Sequence, residues 1–392
     1  MATALERANM LEALYTDMCG NVGPGRWLAP LRALGGKKLG KLLDRRPPSP
    51  VADRTRTFPR WTIDMLKAGR AASAEQRVRL HDRAHRNAAK SMIKSGFGNA
   101  THVLVELMEA RGVLTAAKQA GLVTITDVNV APSAERIVRE ERRRNPGWEA
   151  DGLYYGETLD DPAFRPLAET LSATDLFLCP SSFVQDDLVS NFAVPREKTI
   201  LLPYAANPKW FDVDPETRAG QIFFAGEAGI RKGIHVLAEA ARILEERGRS
   251  YEFRIAGSAS ETVRSRGETD RLTFLGRLSH DEMRHEFATA DLFAFPSFAE
   301  GSAGVTFEAM GAGVPLVTTQ ASGSVARDGI EGLIVPEGDA NGLADAIEQV
   351  VENRELRNRL ADGARLRARE FSWQSYADRL PQAIAEFQPK EG

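Results

Sequence analysis

The sequence predicts an α/β protein built from two doubly wound domains, and three observations carry that expectation. Runs of β-branched and aromatic residues alternate with segments of helical period through most of the 392 residues, the pattern of a parallel sheet with crossover helices. The rhythm stops at PYAANPKWFDVDPETRAG, residues 203 to 220, where three prolines and mixed polarity mark a linker, and then restarts. A chain of this length also exceeds one ordinary core, which sets a prior of about two to three domains. The expected bounds are 1–205 for the first domain, 206–220 for the linker and 221–372 for the second domain. Residues 373–392 are expected to form a C-terminal crossover helix that packs back on the first domain.

The opening is unusual. MATALERANMLEALYTD sets Leu5, Ala8, Leu11 and Leu14 at helical spacing, where a doubly wound domain normally begins with an apolar strand. The first strand is therefore expected to be missing, and the native start to lie upstream of Met1. Strands follow at 101–107, 122–128, 176–179 and 199–202, with helices between them. Ser182 with Gln185, just after CPS, is expected to form the capping box of one helix. In the second half, strands are expected at 221–226, 251–257, 272–276, 292–296, 315–319 and 333–335. Helices are expected from about Lys232 to Arg247 and from the capping pair Ser279 and Glu282. Charged helices run from Asp339 onward, the last over Trp373 to Phe387.

Composition narrows the function classes. Hydrophobic residues at 43% and charged residues at 27% are ordinary for a soluble protein, and no apolar run approaches the roughly 20 residues that cross a bilayer. Glu6 and Arg7 interrupt the N-terminus, so it does not read as a secretory signal, and a cytoplasmic location is expected. Cys19 and Cys179 lie far apart, which excludes a disulfide scaffold. A net charge of −3 argues against a nucleic-acid partner. From Arg26 to Arg60, however, ten basic residues stand against two acidic ones, with Trp27, Leu28, Leu31, Leu34, Leu39, Leu42 and Leu43 interleaved. That stretch reads either as a peripheral contact with an anionic membrane or as a solvated loop and helix.

The chemistry concentrates in FPSFAEGSAGVTFEAMGAGVPLVTT, residues 295 to 319, where seven residues separate Glu300 from Glu308. A buried strand leads into a loop of small residues and then a helix, and ligands of such sheets bind beyond the carboxyl ends of the strands. Small residues at Gly301, Ser302, Ala303 and Gly304 let a ligand approach the backbone, and the helix start favours a diphosphate. A carboxylate repels phosphate, so Glu300 and Glu308 beside an anion site make sense as acceptors for hydroxyl groups. A ligand with a diphosphate and many hydroxyls is a sugar nucleotide. The counter-charge is supplied by FFAGEAGIRKGIHVL, residues 223 to 237, in which Gly226, Gly229 and Gly233 surround Arg231 and Lys232 ahead of a helix. Two other patterns weigh less. His81 and His85 in HDRAH lack the glutamate of a zinc-protease helix, and Asp212 and Asp214 sit in the linker as turn residues rather than metal ligands.

These residues resemble the retaining glycosyltransferases of family 4. The resemblance covers nearly the whole chain and is strongest from Gln221 to Tyr376, through RKG (231–233), RLTFLGRLSHDEM (271–283), ADLFAFPSFAEGSAGVTFEAMGAGVPLVTT (290–319), GLIVPEGD (332–339) and FSWQSYADRL (371–380). It implies the GT-B fold of two facing Rossmann-like domains and a UDP- or GDP-linked sugar as co-substrate. It further implies a glycan or lipid-linked acceptor, no metal, and transfer with retention. By the same resemblance, Glu300 serves the donor sugar's hydroxyls and the Gly301–Gly304 backbone the sugar and diphosphate. Glu308 serves the ribose, and Lys232 with Arg231 the diphosphate, in a turn that includes Gly226 and Glu227. Glu227 stands where the family commonly has an arginine, and it is expected to pair with Arg231 and orient it. Ala303 stands where the family often has glycine. His102 and Asp127 are the candidates for the acceptor side. The alternative is a non-catalytic GT-B scaffold in which Glu227 spoils the clamp.

Overall fold

The computed structural model describes residues 1–28, 40–41, 43–71, 73–107, 109, 112–149 and 165–387. They divide into two units. The first takes the described residues of Met1–Asp127, Tyr155–Leu178 and Ala377–Gly392, and the second those of Val128–Tyr154 and Cys179–Tyr376.

The first unit opens on a short helix, Ala2–Arg7, and then a strand, β1 (Leu14–Thr16), which pairs in parallel with β2 (Thr55–Thr57). This short strand stands in a two-stranded sheet of its own, apart from the sheet of the main strands. Three residues are too few to show a period of two. What fixes β1 is tertiary: the Tyr15 hydroxyl donates to the Gly96 carbonyl at 2.6 Å, and its ring meets Phe58 edge-on. The main strands of the unit, β3 (His102–Glu106), β4 (Val123–Asp127) and β5 (Leu176–Cys179), run parallel, with His102 opposite Val123 and Ile125 opposite Leu176. Crossover helices Val113–Gln119 and Arg165–Ala173 cover them, burying Leu114 and Ala173 against Val103 and Val105.

Part of the basic stretch, including Arg32, Lys37, Lys38, Leu31, Leu34, Leu39 and Leu42, lies outside the described residues. Of its described cations, Arg45 pairs with Asp17 at 2.9 Å, Arg54 with Glu6 at 3.1 Å, and Arg56 donates to the Tyr15 hydroxyl at 3.1 Å. No described helix is long and apolar enough to cross a membrane.

The second unit contains β6 (Thr199–Leu201) and a six-stranded sheet. Its strands are β7 (Gln221–Ala225), β8 (Glu252–Ala256), β9 (Leu272–Gly276), β10 (Leu292–Phe295), β11 (Leu316–Thr318) and β12 (Gly332–Ile334). All pairs are parallel, in the order β12-β11-β10-β7-β8-β9. Helices cover both faces, so the central strands are continuous apolar runs rather than alternating ones. Phe223, Phe224, Phe293 and Phe295 are fully buried in one core with Phe287 and Phe307. The strand order reverses between β7 and β10, and that reversal opens the crevice in which doubly wound sheets bind ligands.

Two helix starts differ in outcome. Ser279 and Glu282 form the full capping box, with the Glu282 amide donating to Ser279 Oγ at 3.3 Å and the Ser279 amide to the Glu282 carboxylate at 2.6 Å. The box expected from Ser182 and Gln185 does not form. Ser181, one residue earlier and extended, caps the helix Ser182–Phe192 by accepting from the Val184 amide, which leaves Gln185 to bond Thr199 Oγ1 at 2.8 Å. The linker is also more structured than its composition suggests. Its Ala206 amide bonds the Phe371 carbonyl at 2.7 Å, and a 3-10 turn at Pro208–Trp210 buries the Trp210 ring. Asp212 takes part through its carbonyl, which accepts from Arg284 at 2.7 Å.

Candidate active site

The site is built by two loops that leave β7 and β10 on either side of the strand-order reversal. After β7 the chain turns through Gly226, with φ of +152°, and a 3-10 turn at Ile230–Lys232, then enters the helix Ile234–Glu246 through Gly233, with φ of +71°. A Cβ on Gly233 would lie 2.0 Å from the Pro296 carbonyl oxygen, so only glycine lets this turn press on the second loop. The contact is stitched by hydrogen bonds. The Arg231 carbonyl accepts from the Phe298 amide at 2.8 Å and from Ser297 Oγ at 2.9 Å.

This brings the predicted cations onto one of the predicted acids. Lys232 Nζ lies 2.9 Å from Glu300 Oε1 and Arg231 Nη1 lies 2.8 Å from Glu300 Oε2, while Ser297 Oγ donates to Glu300 Oε1 at 3.1 Å. Arg231 also donates to the Ala299 carbonyl at 3.2 Å. Lys232 sits over the Phe295 ring, 4.7 Å from its centroid, and burial holds its pKa below the usual lysine range despite the opposing pull of Glu300. Arg231 and Lys232 therefore have a resting counter-ion.

Glu227 is exposed and does not make the expected pair with Arg231. The 3-10 turn carries the guanidinium to the loop after β10, where a buried carboxylate already held by Ser297 makes a better partner than an exposed one. What remains of Glu227 is a weak field that favours protonated Lys232.

The small residues after Glu300 divide in purpose. A Cβ on Gly301 would lie 1.9 Å from the Asn129 carbonyl oxygen, and the Gly301 carbonyl accepts from Ser181 Oγ at 2.6 Å, so that position is filled by protein. Ser302 Oγ donates to the Gly323 carbonyl at 3.0 Å, and Ala303 is buried, with its amide on the Ser322 carbonyl at 3.0 Å. Gly304 differs: it is exposed, and a Cβ there would meet nothing within 4 Å. It opens the helix Gly304–Gly311.

Glu308, on that helix, is half-buried, and burial pushes its pKa above the ordinary carboxylate range, with Lys209 and the Trp210 indole pulling the other way. Lys209 and Trp210 lie in the segment read as the linker, and that reading gave them no part in the site. The adjacent aromatics of PKWF were a signal of burial, since two large rings are seldom left in solvent.

In the first unit, His102 stands at the amino end of β3, where its Nδ1 lies 2.8 Å from Thr101 Oγ1 and burial lowers its pKa. That is the opposite edge from the strands' carboxyl ends. Asp127 is at the carboxyl end of β4 and buried. His85, passed over in the sequence as charged surface, is in fact 4% exposed, with Nδ1 2.6 Å from Glu109 and its ring beside Trp61.

Comparisons with known proteins bear on the family and the fold. Residues 219–353, which contain all of Arg231, Lys232, Glu300 and Glu308, match the family of glycosyl transferases group 1. An alpha-D-kanosaminyltransferase of Streptomyces kanamyceticus is 29% identical over 56% of this chain and 60% of its own length. An MMP alpha-(1->4)-mannosyltransferase of Mycolicibacterium hassiacum is 30% identical over 51% of each chain. The chain thus spans only about half to three fifths of these curated relatives. Among solved structures, HepE of Anabaena in complex with UDP matches with a TM-score of 0.62 at 15% identity, covering 96% of this chain and 100% of that one. Sucrose-phosphate synthase from Thermosynechococcus elongatus matches with a TM-score of 0.61 at 18% identity, over 87% and 84%. At such identities the likeness is one of fold, and that fold is GT-B, with two Rossmann-like domains. Residues 219–353, which carry the paired loops at the strand-order reversal, thus match the glycosyl transferases group 1 family, and the fold around them is GT-B.

Proposed function

We propose that the protein transfers a hexose-type sugar from a UDP- or GDP-linked donor to a glycan or lipid-linked acceptor, with retention of anomeric configuration and without a metal. The observation that carries this reading is the cluster of Lys232, Arg231 and Glu300 at the strand-order reversal. An incoming diphosphate would replace Glu300 as the counter-ion of the two cations, and the freed carboxylate would then accept hydrogen bonds from the sugar's hydroxyls. Glu308 would take the ribose hydroxyls, and Gly304 would leave the donor room at the helix start.

In the reaction, the bond from the anomeric carbon to the phosphate oxygen breaks. A bond from the acceptor oxygen forms on the same face, and the acceptor's proton passes to the departing phosphate. Side chains contribute by orienting the reactants and by stabilising charge on the leaving nucleotide, a task for Lys232 and Arg231. The relatives named above are sugar transferases by name, and HepE was solved with UDP.

A panel of nucleotide sugars measured by thermal shift tests the donor. One donor at about 100 times its dissociation constant should stabilise the protein by about 2.7 kcal/mol. No shift with any nucleotide or sugar nucleotide would defeat the donor reading and leave a non-catalytic scaffold.

We place the protein in the cytoplasm, in peripheral contact with an anionic membrane through residues 26–60, where Trp27 is 82% exposed beside Arg26. Each cation at such a surface adds about 1 kcal/mol, and salt screens it. Sedimentation with anionic but not neutral vesicles at low salt is the expected result. Equal sedimentation with both would assign the stretch to a solvated loop.

A further inference from the structure

The residues just after β4 do not stay with the first unit. Val128–Tyr154 groups with the second unit, and its described part meets both loops of the donor site. At one end the Asn129 carbonyl occupies the space a side chain on Gly301 would need. At the other end Glu149 Oε1 accepts the Ile230 amide at 2.6 Å, and a Cβ on Gly229 would lie 2.4 Å from that same oxygen. Between the two ends runs the helix Ala134–Arg144, anchored by Glu141 Oε1 at 3.0 Å from His235 Nε2. The His235 ring stacks on Phe298 at 5.4 Å and meets Trp148 edge-on at 5.7 Å.

We propose that Glu149 is a positioning residue for the diphosphate-binding cations, acting through the Ile230 amide at the head of the turn that carries Arg231 and Lys232. This rests on the donor reading above. A single 3-10 turn has little cohesion of its own, and the one at Ile230–Lys232 has no side-chain cap from its N-cap residue, Gly229. Glu149 supplies that cap from a distant part of the chain. The tail of the turn is held independently, where the Arg231 carbonyl accepts from Ser297 and Phe298. With both ends fixed, the two cations are aimed before a ligand arrives, which is what electrostatic stabilisation of a leaving phosphate requires.

A carboxylate so near an anion site would ordinarily weaken it. Here Arg142 Nε donates to Glu149 Oε2 at 2.7 Å, so one oxygen caps the turn while the other is answered by a cation. The pair therefore holds the turn with little net charge. Gly229 has no side chain because the carboxylate needs the space.

The test compares UDP, UMP, GDP and GMP by calorimetry on the full chain, for the wild type and for Glu149→Ala, Glu149→Gln and Arg142→Ala, with thermal midpoints recorded. Glu149→Ala should weaken the diphosphate that the wild type prefers about tenfold, the size of a lost cap or charged hydrogen bond. The matching monophosphate should change by less than about twofold, because the effect passes through the diphosphate cations alone. Glu149→Gln keeps an oxygen on the amide and should restore most of the affinity, so a general folding defect in the alanine variant would not hide the result. Arg142→Ala should fall between the two. On a Lys232→Ala background the Glu149→Ala effect should shrink, since the residue acts through that turn.

If the wild type binds no nucleoside diphosphate, the donor reading fails and this inference with it. If the wild type binds but Glu149→Ala weakens mono- and diphosphate equally, or leaves both unchanged, the positioning role alone is overturned. Tighter diphosphate binding in Glu149→Ala would overturn it too, by showing that the carboxylate competes with phosphate for the amide.

Discussion

Glu300 and Glu308 are the same residue type, eight positions apart, one on the loop after β10 and the other on the helix that follows, yet their surroundings differ in kind. Glu300 is 8% exposed and already holds Lys232, Arg231 and Ser297. Glu308 is half-buried beside Lys209 and Trp210, and its burial favours the neutral form. On the proposed reading the difference lies in what each would do when a donor enters. Glu300 would exchange partners, so its contribution would depend on how readily the cations let go. Glu308 would only have to stay ionised, so its contribution would depend on pH.

The largest effect should come from the cation that both the loop and the ligand need. Lys232→Ala removes a half-buried charge that the proposed reading assigns to the diphosphate, and leaves Arg231 as the remaining cation on Glu300. Charged hydrogen bonds are worth about 1.5–3 kcal/mol, so nucleoside diphosphate affinity should fall by about 100-fold. Unchanged affinity by calorimetry would remove the glycine turn from the site.

Next in size is Glu308→Ala, which should cost about tenfold in the binding of a ribonucleotide donor, the value of one hydrogen-bonded carboxylate. The comparison sharpens with 2′-deoxynucleotides, since the wild type should prefer ribose and the variant should not. Glu300→Gln should leave that preference intact. A ribose preference that survives in Glu308→Ala would place the ribose elsewhere.

The reach of sequence reasoning differs between the same two regions and the rest of the chain. The strands of the second unit were legible because each is a run of large apolar residues with both faces covered, as in IFFA and LFAF. The helix at Gly304–Gly311 and the placing of Lys232 and Glu300 at equivalent strand ends followed from the rule that such loops share one edge of the sheet, whereas the direct ion pair between the two was not foreseen. Strand β1 was not legible, because its three residues show no period and are held by Tyr15 packing on Phe58. The Ser181 cap was missed because neighbouring serines compete for one helix start. The partners of Glu308 were missed because their segment was read as a linker, and the arm carrying Glu149 for a different reason. Its contacts span separations such as the 81 residues between Glu149 and Ile230, and local pattern carries no information at that range.

A smaller effect separates the two glutamates by pH. Because burial raises the pKa of Glu308, its carboxylate takes up a proton at a higher pH than an ordinary glutamate. A protonated carboxyl loses acceptor strength, so ribonucleotide affinity should be full at neutral pH and decline as pH falls through that raised pKa. In Glu308→Gln the same titration should be flat over that window once the nucleotide's own phosphate ionisation is subtracted, using the 2′-deoxynucleotide as the reference. A decline of equal size in the variant would assign the titration to another group.

The smallest effect concerns Glu227, which the sequence suggested as the partner of Arg231 and which is instead exposed. Without a direct contact, Glu227→Ala can change the site only through a solvent-screened field, worth less than about twofold in diphosphate affinity and fading with added salt. Arg231→Ala should cost several times more, because the guanidinium both answers Glu300 and braces the Ala299 carbonyl. The two changes should therefore add independently in a double-mutant cycle. A coupling well above the error of about 0.5 kcal/mol expected between independent sites would mean that Arg231 leaves Glu300 for Glu227 when the diphosphate arrives. In that event the exchange of partners by Glu300 begins with its arginine and not with its lysine.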